Sequence, residues 1–363
     1  MRLTLVISSL GVGGAERVMS LMANYWAAKG WEITILTFDD GGLFYQLDAR
    51  VNIIGLDIRQ DSSNVVIGLW NNLQRIQTLL GKIASLKPEV VISFIDQANV
   101  LTLLATRSLD LKVIVSERVD PTLHSIGSIW DNLRRWTYPF AAKIVVQTPG
   151  AVNYFSQQLQ LSSCIIPNPV VATPLEAPPI RNRRVILAMG RLTAQKGFDL
   201  LLKAFAKIAN QYPDWTLTIV GEGELRPELE ALRDKLKLKE RVEFPGTVKS
   251  PQTAFNNADI FVLSSRFEGF PNALCEAMAH GLPVIATDCP SGPREIIRDG
   301  IDGILVQPEN VAALSAAMAS LILDEQKRHD LSTCATEIVT RFGIEKIMPM
   351  WEELLAEVVQ EKG

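Results

Sequence analysis

Short apolar runs rich in β-branched residues alternate along the chain with longer stretches whose apolar positions recur every three to four residues. In the first half the short runs are Leu3–Ser8, Glu32–Phe38, Val51–Gly55, Val90–Phe94, Val113–Ser116 and Ile144–Gln147. Ala15–Lys29 predicts a helix closed by Gly30, and Asn64–Lys87 a second, with Arg75, Lys82 and Lys87 among its apolar positions. Residues 167–183 hold five prolines and almost no periodicity, which is a linker composition. The rhythm then restarts. Val185–Gly190, Thr216–Val220, Val242–Pro245, Ile260–Leu263, Val284–Thr287 and Ile304–Val306 predict strands. Asp199–Gln211, Glu224–Lys237, Asn272–His280 and Val311–Leu323 predict helices. Strand–helix alternation is the signature of βαβ units, so the expected class is α/β. The expected parts are a domain over 1–167, a linker over 168–183, a second domain over 184–340 and a terminal segment over 341–363. That segment carries an amphipathic helix, Ile344–Glu361, able to pack back on the first domain. In doubly wound sheets ligands sit beyond the carboxyl ends of the strands, so the loops there are where chemistry is sought.

A length of 363 residues agrees with two separate cores. A net charge of −4 argues against general nucleic-acid binding, which needs an excess of basic charge. The charge is uneven, at net +1 over residues 1–170 and −5 over the remainder, so an anionic or membrane-facing surface is expected in the first half. Four cysteines without CxxC spacing and three histidines predict neither a disulfide framework nor a zinc site, and favour a reducing compartment. The N-terminal apolar run lacks a cleavage pattern and reads as a buried strand. No apolar run approaches the roughly 18–20 residues that a spanning helix needs, so the expected location is cytoplasmic.

Three loops carry candidate chemistry. Gly11-Val12-Gly13-Gly14-Ala15-Glu16 follows the first strand and opens the first helix, where free N–H groups attract phosphate. As a dinucleotide fingerprint it fails, because Glu16 stands where a third small residue is needed and would oppose a pyrophosphate. Gly190-Arg191-Leu192-Thr193-Ala194-Gln195-Lys196-Gly197 offers Arg191 as a planar fork and Lys196 as a point charge for a diphosphate. Taken alone, both would be ordinary solvated side chains. The strongest stretch is Phe267-Glu268-Gly269-Phe270-Pro271-Asn272-Ala273-Leu274-Cys275-Glu276-Ala277. It reads as a Gly/Pro loop leading into a helix capped by Asn272, with Glu276 one turn inside to accept bonds from vicinal hydroxyls. Glu268, in the loop, can reach sugar hydroxyls.

Glu268 and Glu276 form an E-x7-E motif, and with it the chain resembles the retaining, GT-B-fold family 4 glycosyltransferases. Further matching stretches run in order: Gly13 to Glu16, Ile166 to Pro169, Gly190 to Gly197, Val220 to Gly223, Phe244 to Gly246 and Thr287 to Glu295. The resemblance implies two Rossmann-like domains facing across a cleft. It implies transfer of a hexose or N-acetylhexosamine from a nucleotide-diphosphate sugar, with UDP favoured, to a glycan or polyprenyl-diphosphate-linked acceptor. Arg191 and Lys196 would then neutralise the diphosphate, Glu276 would hold the ribose, and Glu268 the donor sugar, aided by the backbone of Gly269, Phe270, Pro271 and Asn272. Gly246, Thr247 and Val248 would flank the base, and Gly13 and Gly14 would line the phosphate and acceptor side. Neither metal nor cofactor is expected, since Arg, Lys and a helix dipole can stabilise the leaving group.

Ser116-Glu117-Arg118 departs from a Ser-Glu-His common among relatives that extend lipid-linked sugars. Arg118 cannot serve as a base and is expected to bind an anionic acceptor. Nearby His124 reads as a surface residue. Trp130, Arg134, Arg135, Trp136 and Tyr138, with Arg75, Lys82 and Lys87, suggest docking on an anionic membrane surface at the inner face of the cell membrane. A packed core with a few surface arginines is the plainer reading of the same residues. Two other functions fit the architecture: a sugar-nucleotide epimerase and a non-catalytic nucleotide-sugar-binding protein.

Overall fold

The computed structural model describes residues 1–40, 42–58, 65–119, 122, 126–155, 157–171, 183–248 and 250–360. His124 and most of the linker over 168–183 lie outside them. The chain forms two compact units: Met1–Pro169 with Ile347–Gly363, and Val170–Lys346.

The first unit is built on seven parallel strands: β1 (Arg2–Ile7), β2 (Glu32–Thr37), β3 (Asn52–Gly55), β4 (Val90–Phe94), β5 (Lys112–Ser116), β6 (Lys143–Val146) and β7 (Ser163–Ile165). Their order is β3-β2-β1-β4-β5-β6-β7. β4 is buried along its whole length and β1 from Leu3 onward, as strands covered by helices on both faces must be. The order reverses between β1 and β4. There the chain leaves β4 through Ile95, whose φ of 74° is strained for a β-branched residue, and enters the helix Asp96–Thr106.

The second unit repeats the plan with β8 (Val185–Met189), β9 (Thr216–Val220), β10 (Val242–Gly246), β11 (Ile260–Leu263), β12 (Val284–Thr287) and β13 (Ile304–Val306), in the order β10-β9-β8-β11-β12-β13. On one face Leu201 and Phe205 of the helix Phe198–Ile208 pack with Leu314 and Met318 of Val311–Leu323. On the other, Leu274 and Met278 of Asn272–Ala279 pack with Phe255 and Phe261. The switch in strand order falls between β8 and β11.

Three of the elements that escape the sequence pattern show why. The helix Asp96–Thr106 is buried on nine of its eleven positions, so it shows no polar stripe. The helix Glu325–Ala335 has the opposite composition, burying only Leu331 and Ala335. β7 is a three-residue edge strand, too short to alternate. The unit boundary falls after Pro169 and not after 167. Residues 341–346 belong to the second unit and not to the terminal segment, because the Val170 N–H donates to the Phe342 carbonyl at 2.8 Å.

The helix Ile344–Gln360 returns to the first unit from Ile347 onward and buries Ile347, Met348, Trp351, Leu354, Leu355 and Val358, while Ile344, expected on the same stripe, is half-buried and belongs to the second unit. The Trp351 ring meets Phe94 at 6.4 Å between centroids. Lys29 and Lys143 pair with Glu352 and Glu357 at its edges.

Candidate functional site

In the second unit the loops that follow β8, β9 and β10 stack on one another. The Leu192 N–H donates to the Glu222 carbonyl at 2.9 Å, and the Gly221 N–H to the Gly246 carbonyl at 3.0 Å. Gly221 has a φ of 142°, and a Cβ there would lie 1.9 Å from the Gly190 carbonyl oxygen, so only glycine permits this approach. Gly246 ends β10, followed by an exposed Thr247 and a half-buried Val248.

At the switch point the loop after β8 is fastened to the loop after β11. The Arg266 N–H donates to the Gln195 carbonyl at 2.8 Å, and Gln195 Nε2 to the Phe267 carbonyl at 3.0 Å. Arg266 also pairs with Asp199 at 2.9 Å. Ser264 Oγ donates to the Lys196 carbonyl at 2.9 Å. These bonds bring Lys196 Nζ to 2.6 Å from Glu268 Oε1, with the Glu268 side chain 5% exposed. Ser265 Oγ donates to the same oxygen at 2.5 Å. Such charge-assisted bonds fix a carboxylate far more firmly than neutral ones do. Arg191 is exposed, and its side chain has no hydrogen-bond or ion-pair partner among the described residues.

Past Glu268, Gly269 and Pro271 are buried and Phe270 packs edge-on against Phe342, at 5.4 Å between centroids, anchoring the loop. Pro271, and not Asn272, occupies the N-cap; Asn272 is the first helical residue. Proline's fixed φ suits that boundary, and it has no N–H to lose. Glu276 is buried on the second turn. Arg191, Lys196, Glu268, Glu276 and the Gly269–Asn272 backbone therefore all belong to the β8 and β11 loops and the helix that follows β11. The sequence reading missed Ser264, Ser265 and Gln195. Their signal is faint: two small hydroxyl residues directly after a strand.

In the first unit the helix Gly14–Ala28 starts after Gly13, and the Glu16 carboxylate folds back so closely that a Cβ on Gly13 would lie 2.0 Å from its oxygen. An anionic group thus already sits beside that helix start.

Arg118 does not present itself to solvent. Its guanidinium lies 3.5 Å from the Phe94 ring centroid and 5.9 Å from Trp351, and Nη1 donates to Asn168 Oδ1 at 2.7 Å. Nε and Nη2 are buried without a hydrogen-bond partner among the described residues. Burial pushes its pKa down to about 9, still protonated at neutral pH. The side chain packs on the terminal helix through Trp351 and bonds Asn168. Arg134 is likewise buried, bonded to Asp131 at 2.6 Å and to Glu117 at 3.4 Å, and Tyr138 donates to Glu117 Oε1. Arg75 is half-buried, with Nε donating to the Ile58 carbonyl at 2.9 Å. Of the expected interfacial cluster, Arg135, Trp136 and Lys87 remain exposed.

Burial, then the neighbouring Asp96 carboxylate, push the Glu117 carboxyl up to about 8 from an ordinary 4.5, against the pull of Arg134 and Tyr138. The folded state therefore keeps a proton that the unfolded chain releases. Its stabilisation is complete below pH 4.5 and is lost as pH rises toward about 8. Wild-type thermal midpoints are expected to decline between pH 5 and 8.5, and Glu117→Gln to flatten that decline. Parallel curves would show that Glu117 titrates normally.

Two doubly wound parallel sheets, the second bringing a lysine–carboxylate pair and a helix start to its switch point, are the layout of the GT-B nucleotide-sugar enzymes. Residues 176–337 match the family described as Glycosyl transferases group 1, and residues 13–169 the Glycosyl transferase 4-like domain. The chain belongs to this glycosyltransferase family. Among curated relatives it is 28% identical to the GalNAc-alpha-(1->4)-GalNAc-alpha-(1->3)-diNAcBac-PP-undecaprenol alpha-1,4-N-acetyl-D-galactosaminyltransferase of Campylobacter jejuni, over 99% of each chain. It is 28% identical to the amylovoran biosynthesis glycosyltransferase AmsD of Erwinia amylovora, over 94% of this chain and 96% of that one. Among solved structures, sucrose-phosphate synthase from Thermosynechococcus elongatus superposes with a TM-score of 0.84 at 18% identity, over 99% of this chain and 100% of the other. Anabaena Alr3699/HepE in complex with UDP and glucose superposes at 0.80 with 21% identity, over 98% and 99%. These two likenesses confirm the GT-B fold.

Proposed function

We propose that the protein is a retaining, metal-independent glycosyltransferase. It moves a hexose or N-acetylhexosamine from a UDP-sugar to a glycan or polyprenyl-diphosphate-linked acceptor in polysaccharide or glycoconjugate synthesis. The observation that carries this reading is the Lys196–Glu268 pair at the β8/β11 switch point, with Glu276 buried in the next helix. Lys196 and Arg191 neutralise the departing diphosphate, which is where charge develops in the transition state. Glu276 accepts from ribose hydroxyls and Glu268 from the donor sugar. Backbone from Gly269 to Asn272 faces that sugar, while Gly246, Thr247 and Val248 flank the base. Gly13 and Gly14 serve the phosphate and acceptor side. The acceptor hydroxyl attacks on the face the diphosphate leaves and passes its proton to a donor phosphate oxygen, so no side-chain base is needed. Relatives named for a PP-undecaprenol-linked glycan and for amylovoran biosynthesis support the acceptor class, and the Anabaena structure in complex with UDP supports the base.

The test is release of UDP from a UDP-sugar panel with and without undecaprenyl-diphosphate glycans. Acceptor-dependent release with an α-linked product from an α-linked donor is expected. An epimerised donor would overturn transfer in favour of epimerisation, and binding without turnover would leave only a binding protein.

No helix among the described residues is long and apolar enough to cross a membrane. The reading places the enzyme in the cytoplasm, peripherally on an anionic membrane surface. In the first unit Trp70, Ile129 and Trp136 are 64%, 66% and 60% exposed, and Arg135, next to Trp136 in the chain, is exposed as well. Flotation with phosphatidylglycerol liposomes, lost in Trp136→Ser/Ile129→Ser, is expected; protein left in the soluble fraction would remove this part.

A further inference from the structure

The Glu268 carboxylate receives two donors on one oxygen. Lys196 Nζ at 2.6 Å and Ser265 Oγ at 2.5 Å both donate to Oε1, leaving Oε2 outside both bonds. In the reading above Lys196 serves the donor diphosphate. An ammonium on a flexible stem moves toward the larger opposing charge, and the diphosphate carries more than the carboxylate. When the lysine exchanges partners, a carboxylate held by it alone would rotate, because the last torsion of a glutamate is soft. Ser265 does not move with the lysine. It is 1% exposed, and its carbonyl accepts from Thr287 Oγ1 at 2.5 Å. Ser264 holds the Lys196 carbonyl, so the lysine backbone is pinned while its side chain swings.

We propose that Ser265 is a positioning residue: its hydroxyl holds Glu268 Oε1 while Lys196 transfers to the diphosphate, keeping Oε2 aimed at the donor sugar. The inference rests on Glu268 being the sugar-binding carboxylate. It concerns the chemical step and not nucleotide affinity, because the UDP portion touches neither Ser265 nor Glu268 in that reading.

The test is a double-mutant cycle in the full-length protein with Ser265→Ala, Glu268→Gln and the double variant. Turnover is read as UDP release from UDP-glucose, UDP-galactose, UDP-GlcNAc and UDP-GalNAc, and UDP affinity by calorimetry. Ser265→Ala is expected to lower kcat about tenfold or more with the UDP Kd changed less than about twofold, and to add less than about twofold to Glu268→Gln. Multiplicative losses in the double variant, or a UDP Kd weakened as much as kcat, would overturn the proposal by showing a general loosening of the loop. Wild-type turnover in Ser265→Ala, with Glu268→Gln impaired, removes the role of Ser265 alone. Wild-type turnover in Glu268→Gln removes the sugar-binding reading itself.

Discussion

Lys196→Ala is expected to reduce turnover by about a thousandfold, on the scale of losing one preorganised donor to developing negative charge. The fold should survive. The lysine is partly exposed, and Glu268 keeps the Ser265 bond when the ammonium is removed. Loss of a partner to a mostly buried carboxylate costs a few kcal/mol, about a fifth to a third of a domain's stability. A thermal midpoint roughly ten degrees lower, with a cooperative transition kept, beside a thousandfold lower turnover separates the chemical role from a folding defect. Glu276→Ala should show the same separation through the weakened hold on the ribose. Wild-type turnover in both variants would remove the assignment of this site.

The sheets were legible because central strands of a parallel sheet must be apolar throughout, and runs such as Val90–Phe94 say so directly. Lys196, Glu268 and Glu276 were legible because their spacing is fixed by a loop and a helix start. Side-chain direction was not. Arg118 and Arg134 lie in segments whose composition suits an exposed anion site equally well. Only the packing of Phe94 and Trp351 on one, and of Glu117 and Asp131 on the other, turns them inward. The net charge misled in the same way. The second half is the more acidic, yet Lys196 and Arg191 both stand in the loop after β8 at its switch point. Ser265 escaped notice because a serine after a strand gains meaning only once the chain brings Glu268 back over it.

Gly197→Ala is expected to damage fold and site together, and comparison with Gly30→Ala shows why. Both glycines occupy the left-handed region, Gly197 at φ 61° and Gly30 at φ 81°. At Gly30 a Cβ meets nothing within 4 Å, so alanine should cost only the conformational strain of about 1 kcal/mol. At Gly197 the Cβ would lie 2.1 Å from the Ser264 carbonyl oxygen. That neighbour is backbone at the end of β11, so no rotamer change relieves the clash, and the Ala194–Lys196 turn must lift away. We expect Gly197→Ala to cost on the order of 3 kcal/mol or more, the range of a large local lesion. Lifting that turn stretches the Ser264–Lys196 bond and withdraws Nζ from Glu268. The fraction that remains folded should therefore show a kcat reduced at least about tenfold. Gly30→Ala, on the far side of its own unit's chemistry, should keep wild-type kcat. Equal midpoint shifts in the two variants would mean that the approach of Gly197 to β11 carries no energy. An unchanged kcat in folded Gly197→Ala would mean that Lys196 does not depend on it.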